Sequence, residues 1–344
     1  MKLQIADYNS AEARAVNKCG YSELSAFSTK TFEDHCFPTR VSDERELFRY
    51  ADMFVGADID FLNRGRFQSG SSTFSEYTIE EISLLTKISK GVELITEDTF
   101  SGPTKVYFNH LSGVGLFRVV QAISSILGRP LTVFEIGPGC GYTGVLLGMT
   151  GHNYVSYDVT QSYYIWQNRL YDHFFKEEFI ENALLDDIAI SRVSHIPWWH
   201  YMQLNKSLPL KADVVLSNSN LGEMHWLCLR YSLRLSEMLL QGSDVGMLLY
   251  SSLGAQHINS EETVVDQLKT TGFNRELEKY VQGWAVSKKT SFDEIRLTLE
   301  KEIPFYDPQH FGKTFEASDF IDFSLAEMPE EFQFYNFATG AVRA

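Results

Sequence analysis

Residues 133–144 read Val133-Phe134-Glu135-Ile136-Gly137-Pro138-Gly139-Cys140-Gly141-Tyr142-Thr143-Gly144. A short apolar run delivers the chain to a turn with glycine at every second position, and helix-compatible sequence follows. Glycine lets the backbone pass close to a ligand and adopt positive φ at no steric cost. Strand, glycine turn and helix in that order make the first βα unit of an open α/β sheet, and nucleotide-like ligands sit at the carboxyl ends of such strands. The dinucleotide spacing GxGxxG fails here, because its third glycine position falls on Tyr142. The loop instead reads ExGxGxG, with Glu135 two residues before Gly137.

Outward from the loop, short apolar runs alternate with helical ones from about residue 131, the texture of βαβ units and a mostly parallel sheet. Strands are predicted over 131–136, 154–157, 193–196, 213–216 and 245–250, with a late pair near 277–281 and 294–299. Helices are predicted over Gln161–Phe175 and Glu262–Thr270. The fold class is α/β, a Rossmann-like sheet over residues 129–300. Ahead of it, residues 1–128 read as a helical region. Thr78-Ile79-Glu80-Glu81 fits a capping box, and Ile79, Ile82, Leu85 and Ile88 follow at helical spacing. A second helix over 114–127 is stopped by Gly128 and Pro130. The Gly/Ser-rich stretch 64–73 reads as a loop. Residues 301–344, aromatic and acidic, read as an extension that packs on the body.

The composition narrows the partners. Across 344 residues, 45 Asp and Glu outweigh 30 Lys and Arg for a net charge of −15, and no basic stripe offers itself to a phosphate backbone. That balance argues against nucleic acid and against an anionic membrane. Cys19, Cys36, Cys140 and Cys228 are scattered, with no CxxC pair and no zinc spacing, so reduced thiols in a cytoplasm and no metal are expected. The amino terminus lacks the apolar core of a signal peptide, and no apolar run reaches the length of a membrane span.

Three further stretches bear on a site. The strand 153–157 ends in Asp158, and a carboxylate at the tip of a second strand can accept ribose hydroxyls; a helix follows, so Asp158 also suits a capping role. Ser194-His195-Ile196-Pro197-Trp198-Trp199-His200 ends the third long strand, either as an apolar wall for adenine with His195 beside it or as a structural tryptophan cluster. The segment 212–225 runs from a buried strand into polar residues, among them Asn218, Glu223 and His225.

The acid-glycine loop resembles the first motif of class I S-adenosylmethionine-dependent methyltransferases. Taken together, VFEIGPGCGYTG, YDVTQSYYIWQNRL, the HIPWW turn and ADVVLSNSNLGEM resemble the sugar O-methyltransferase family over roughly residues 131–252, about a third of the chain. The resemblance implies a seven-strand class I methyltransferase sheet and S-adenosylmethionine as cofactor. Glu135 then lies under the loop, and Gly137, Gly139 and Gly141 face the cofactor's amino-acid end. Asp158 takes the ribose diol, with His195 and Asn218 completing the cofactor site. The acceptor is a sugar or nucleotide-sugar hydroxyl, covered by the helical amino-terminal region. An alcohol attacks poorly unless a base removes its proton, and histidine titrates in the useful range. His225 is the first choice for that base, then Glu223, then His110 from the amino-terminal region. The rival readings are an N-methyltransferase or other small-molecule methyltransferase, a non-catalytic S-adenosylmethionine-binding module, and a nucleotide-dependent dehydrogenase, against which the failed GxGxxG spacing speaks.

Overall fold

The computed structural model describes residues 2–19, 39–51, 79–97, 114–204, 210–218, 220–250, 258–275, 284–287, 335–336 and 341–342. Ahead of the sheet lie α1 (Ile5–Cys19), α2 (Glu44–Ala51), α3 (Ile79–Thr96) and α4 (Val114–Leu127). There follow β1 (Thr132–Ile136), α5 (Tyr142–Met149), β2 (Asn153–Asp158), α6 (Gln161–Phe175), β3 (Phe179–Glu181), β4 (Val193–Pro197) and α7 (Trp198–Tyr201). Then come β5 (Val214–Leu216), α8 (Trp226–Leu239), β6 (Met247–Tyr250), α9 (Glu261–Thr270), β7 (Asn274–Arg275) and β8 (Trp284–Ser287). A separate short antiparallel pair joins β9 (Tyr335–Asn336) to β10 (Ala341–Val342).

The main sheet has the order β3-β4-β2-β1-β5-β6-β8-β7. Its first six strands are parallel, and β8 runs antiparallel to both of its neighbours. The fold is therefore the mostly parallel, Rossmann-like α/β class expected, with helices preceding it. The strand number differs: eight strands pair where seven were expected, the addition being the three-residue edge strand β3. The late strands expected near 277–281 and 294–299 lie outside the described residues, as do Thr78 and the loop 64–73; β7 and β8 close the sheet. Among the described residues no helix is long and apolar enough to cross a membrane.

Both faces of a parallel sheet are covered, so its strands read as apolar runs whose side chains alternate between the faces. On one face Tyr201 stacks on Tyr157 at 3.6 Å and on Phe134 at 6.2 Å, and its hydroxyl donates to Ser232 Oγ of α8 at 2.7 Å. On the other, α5 presses onto β2 and α6 so closely that a Cβ at Gly144 would stand 2.3 Å from the Tyr154 ring, and one at Gly148 2.4 Å from Phe175. Helical glycine costs about 0.5–1 kcal/mol against alanine, and here that cost is offset by backbone-to-ring packing.

The amino-terminal helices dock on the first turns of α6. Tyr8 lies 5.1 Å from Tyr164 and 5.2 Å from Trp199, ring to ring. Gln161, the first residue of α6, donates to Asn9 Oδ1 at 2.6 Å and accepts from the Val41 N–H at 2.7 Å. The Leu3 N–H donates to Asn168 Oδ1 at 2.9 Å.

Candidate functional site

Parallel pairing brings the carboxyl ends of β1, β2, β4 and β5 to one edge. Strand order reverses around β1, with β2 on one side and β5 on the other, and ligands of open α/β sheets bind at such a switch point. Ile136 pairs with Tyr157 and the Gly137 N–H donates to the Tyr157 carbonyl at 2.9 Å, so the glycine loop starts level with Asp158. Gly137, Gly139 and Gly141 hold φ of 60°, 57° and 79°, the left-handed region. Their surroundings differ. A Cβ on Gly137 would meet Asn220 Nδ2 at 2.6 Å, and one on Gly141 the Tyr171 hydroxyl at 2.9 Å. At Gly139 no heavy atom of the described residues, its chain neighbours aside, lies within 4 Å of where a Cβ would stand. Side chains crowd the outer two glycines, and the middle one borders open space among the described residues.

The loop's carbonyls are tied down from both sides. Asn220 Nδ2 donates to Ile136 O at 2.5 Å and Gly137 O at 3.3 Å, while the Ser217 hydroxyl fixes the Asn220 side-chain oxygen. From α6, Gln167 Nε2 donates to Gly139 O at 2.6 Å and Trp166 Nε1 to Cys140 O at 3.2 Å. Asn220 and Gln167 were not singled out from sequence.

Glu135 lies beneath the loop, 1% exposed, with the Tyr154 hydroxyl donating to Oε2 at 2.5 Å. Burial pushes its carboxyl up to about 7; the tyrosine bond opposes that and the Asp158 charge adds to it. Asp158 is also buried, and burial carries its carboxyl up to about 6 against the pull of its hydrogen bonds. Its Oδ1 accepts from the Thr160 N–H at 3.0 Å and the Thr160 hydroxyl at 3.1 Å, and its Oδ2 accepts from Gln167 Nε2 at 2.8 Å. The Val159 backbone also hydrogen-bonds this carboxylate. The N-cap position of α6 belongs to Thr160, which Asp158 steadies.

His195 is corrected. It stands in a cross-strand row, Glu181–His195–Ser156–Glu135, whose side chains share the face under α6. The imidazole is fully buried, stacked 3.9 Å from Tyr164, with Nδ1 2.8 Å from Ser156 Oγ. Burial pushes its pKa down to about 3. Strand alternation turns the ring into the core, so it does not touch a ligand at the sheet edge. The adenine wall fails with it: Trp198 and Trp199 are buried, with Trp198 Nε1 donating to Glu12 at 2.8 Å and Trp199 against Tyr8. They form a structural cluster.

His225, the first choice for the base, lies at the start of α8. It is the N-cap of α8, its side chain accepting from the Leu227 N–H at 3.4 Å through Nδ1. A neutral imidazole has one acceptor nitrogen, and here that nitrogen serves the helix. Glu223 is half-buried one turn beyond the loop clamp, its N–H donating to Asn220 O at 3.0 Å. Buried Asn259 braces the same segment, its N–H on Gly222 O at 3.1 Å and its Nδ2 on Met224 O at 2.5 Å. Asn218 is half-buried between β5 and that clamp. His110 lies outside the described residues.

No protein-family model matches the chain, and no curated protein matches it. Solved structures resembling it include the ribosomal protein L11 methylase of Lactobacillus delbrueckii subsp. bulgaricus, at 16% identity over 50% of this chain and 76% of that one, TM-score 0.32. Magnesium protoporphyrin IX methyltransferase (ChlM) of Synechocystis PCC 6803, with bound SAM, is 15% identical over 62% of this chain and 97% of that one, TM-score 0.33. The bifunctional kinase-methyltransferase WbdD is 13% identical, TM-score 0.35, and the match takes in 51% of this chain but only 39% of that longer one.

Proposed function

We propose that the chain is an S-adenosylmethionine-dependent methyltransferase whose acceptor is a hydroxyl of a sugar-containing small molecule, a sugar or nucleotide-sugar. The carrying observation is the open space at Gly139 among the described residues, at the switch point and level with a buried carboxylate, Asp158, whose oxygens accept hydrogen bonds. Gly137, Gly139 and Gly141 with Asp158 and Asn218 would hold the cofactor, and Glu135 supports the loop from below. When bound, the cofactor supplies an electrophilic methyl group on a sulfonium.

The chain's own part is to orient the acceptor and take its proton. Glu223 is the base in this reading, because Asn220 and Asn259 pin its segment to the loop from two sides; His110 is the rival. The helices over residues 1–128 cover the acceptor side, in keeping with the docking of α1 on the first turn of α6 beside Asp158. Neither Cys140 nor Cys228 is in a disulfide, and a cytoplasmic setting is part of this reading.

Incubation with methyl-labelled S-adenosylmethionine and a panel of sugars, nucleotide-sugars and amines tests the reading. Label on a sugar oxygen supports it. Label on nitrogen alone overturns the acceptor, and a protein that neither binds nor consumes the cofactor overturns the reaction.

A further inference from the structure

Gln167 lies mid-way along α6 and is fully buried. Its Nε2 donates to Gly139 O at 2.6 Å and to Asp158 Oδ2 at 2.8 Å. A carboxamide nitrogen has two hydrogens, so both are used, while Oε1 stays buried without a partner. The reverse orientation would aim Oε1 at two acceptors, so the pair of bonds fixes the side chain. Burying an unpaired oxygen is costly, and a residue that only filled space here would be apolar. The arrangement is explained by the two groups that Gln167 joins, the middle glycine of the loop and the acid opposite it.

We propose that Gln167 is a positioning residue of the cofactor site, locking Gly139 to Asp158 and holding the Asp158 carboxylate in its ionised, hydroxyl-accepting form. This rests on the S-adenosylmethionine reading above. Among the described residues the titratable groups coupled to the Asp158 charge include Glu135 from β1, Tyr8 from α1, Tyr171 from α6 and Tyr157 from its own strand. None of these four is a cation. The ionised carboxylate is favoured by hydrogen bonds, that from Gln167 being the largest, followed by those from Thr160 and Val159. Without the Gln167 donor the carboxyl titrates higher, because a hydrogen bond to the charged form is what lowers a pKa. Cofactor binding that needs the ionised acid then fails at a higher pH.

The test is calorimetric titration of S-adenosylhomocysteine into the wild type, Gln167→Met and Asp158→Asn across the pH range around neutrality. Wild-type affinity is expected to fall as pH drops through about 6. In Gln167→Met the fall moves up by about one pH unit, leaving a few-fold loss at high pH from the freed loop. Asp158→Asn binds weakly with no such step. A Gln167→Met protein weakened by one factor at every pH, or not at all, overturns the assignment. Gln167→Glu covers a failure of the methionine variant to fold: a second carboxyl beside Asp158 also moves the midpoint up, and an unmoved midpoint overturns the proposal. A wild type that binds at no pH overturns the cofactor reading and this one together, an outcome distinct from binding with an unmoved step.

Discussion

Two residues apart in the chain, Glu223 and His225 stand in different settings, and the difference is chemical. The acceptor nitrogen of His225 is spent on the Leu227 N–H, whereas Glu223 sits behind the Asn220 clamp. Glu223→Gln is expected to lower kcat by about 10²–10⁴, the usual loss on removing a general base, with cofactor affinity kept within a few-fold. His225→Ala is expected to keep its activity and lose about 0.5 kcal/mol of stability, the low end for a helix cap, because the bond is long. Steady-state kinetics with urea denaturation reads both; a fully active Glu223→Gln, or an inactive but folded His225→Ala, contradicts the assignment. The glycine loop and Asp158 were legible in the sequence because spacing after a strand is a geometric signature. Gln167, Asn220 and Asn259 were not, since a carboxamide looks alike in a core clamp and on a surface.

In the elements, legibility followed length and periodicity. The helices expected over 114–127 and Gln161–Phe175 form at those bounds, and α9 starts one residue early, at Glu261. β3 and α7, three and four residues long, are too short to show a period. His195 was misplaced because a strand's apolar average hid which face each residue takes; the polar row Glu181–His195–Ser156–Glu135 is visible only in register. Close packing at α5 makes a prediction of its own. Gly144→Ala should destabilise the protein although alanine favours a helix by about 1 kcal/mol, because its Cβ would stand 2.3 Å from the Tyr154 ring and overpacking costs about 1–3 kcal/mol. A higher denaturation midpoint in the variant would show that α5 can move off the sheet.

Across the whole molecule, the contacts that seat the amino-terminal helices were beyond sequence reading: the bond from Leu3 to Asn168 spans 165 positions. They close α6 over a set of buried titratable groups, and this links stability to pH. Burial raises Glu135 to about 7, Asp158 to about 6 and Glu181 to about 7. The folded state thus holds these protons more tightly than the unfolded one, and their contribution, full below the unfolded carboxyl range, is lost as pH rises through the folded values. His195, lowered to about 3, acts oppositely: its contribution is present above the ordinary histidine value and lost as pH falls toward 3. Glu135→Gln isolates one member, keeping an acceptor for Tyr154 without the ionisation. Relative to wild type the variant should gain stability between pH about 4.5 and 7 and level off above, by roughly 1–3 kcal/mol. Denaturation at both ends of that window checks it, and a difference independent of pH contradicts the burial of Glu135 as an acid.

The central claim, that the loop at the tip of β1 holds S-adenosylmethionine, is tested most directly by titrating that cofactor into the wild type and into Gly139→Asn. Asparagine tolerates the left-handed backbone better than other side chains, and no atom of the described residues, the chain neighbours aside, lies within 4 Å of where its Cβ would stand, so the variant should fold. The wild type is expected to bind one-to-one and the folded variant not at all. Equal affinity in the two, or no binding by the wild type at ~1 mM cofactor, about −4 kcal/mol of binding free energy, contradicts the claim.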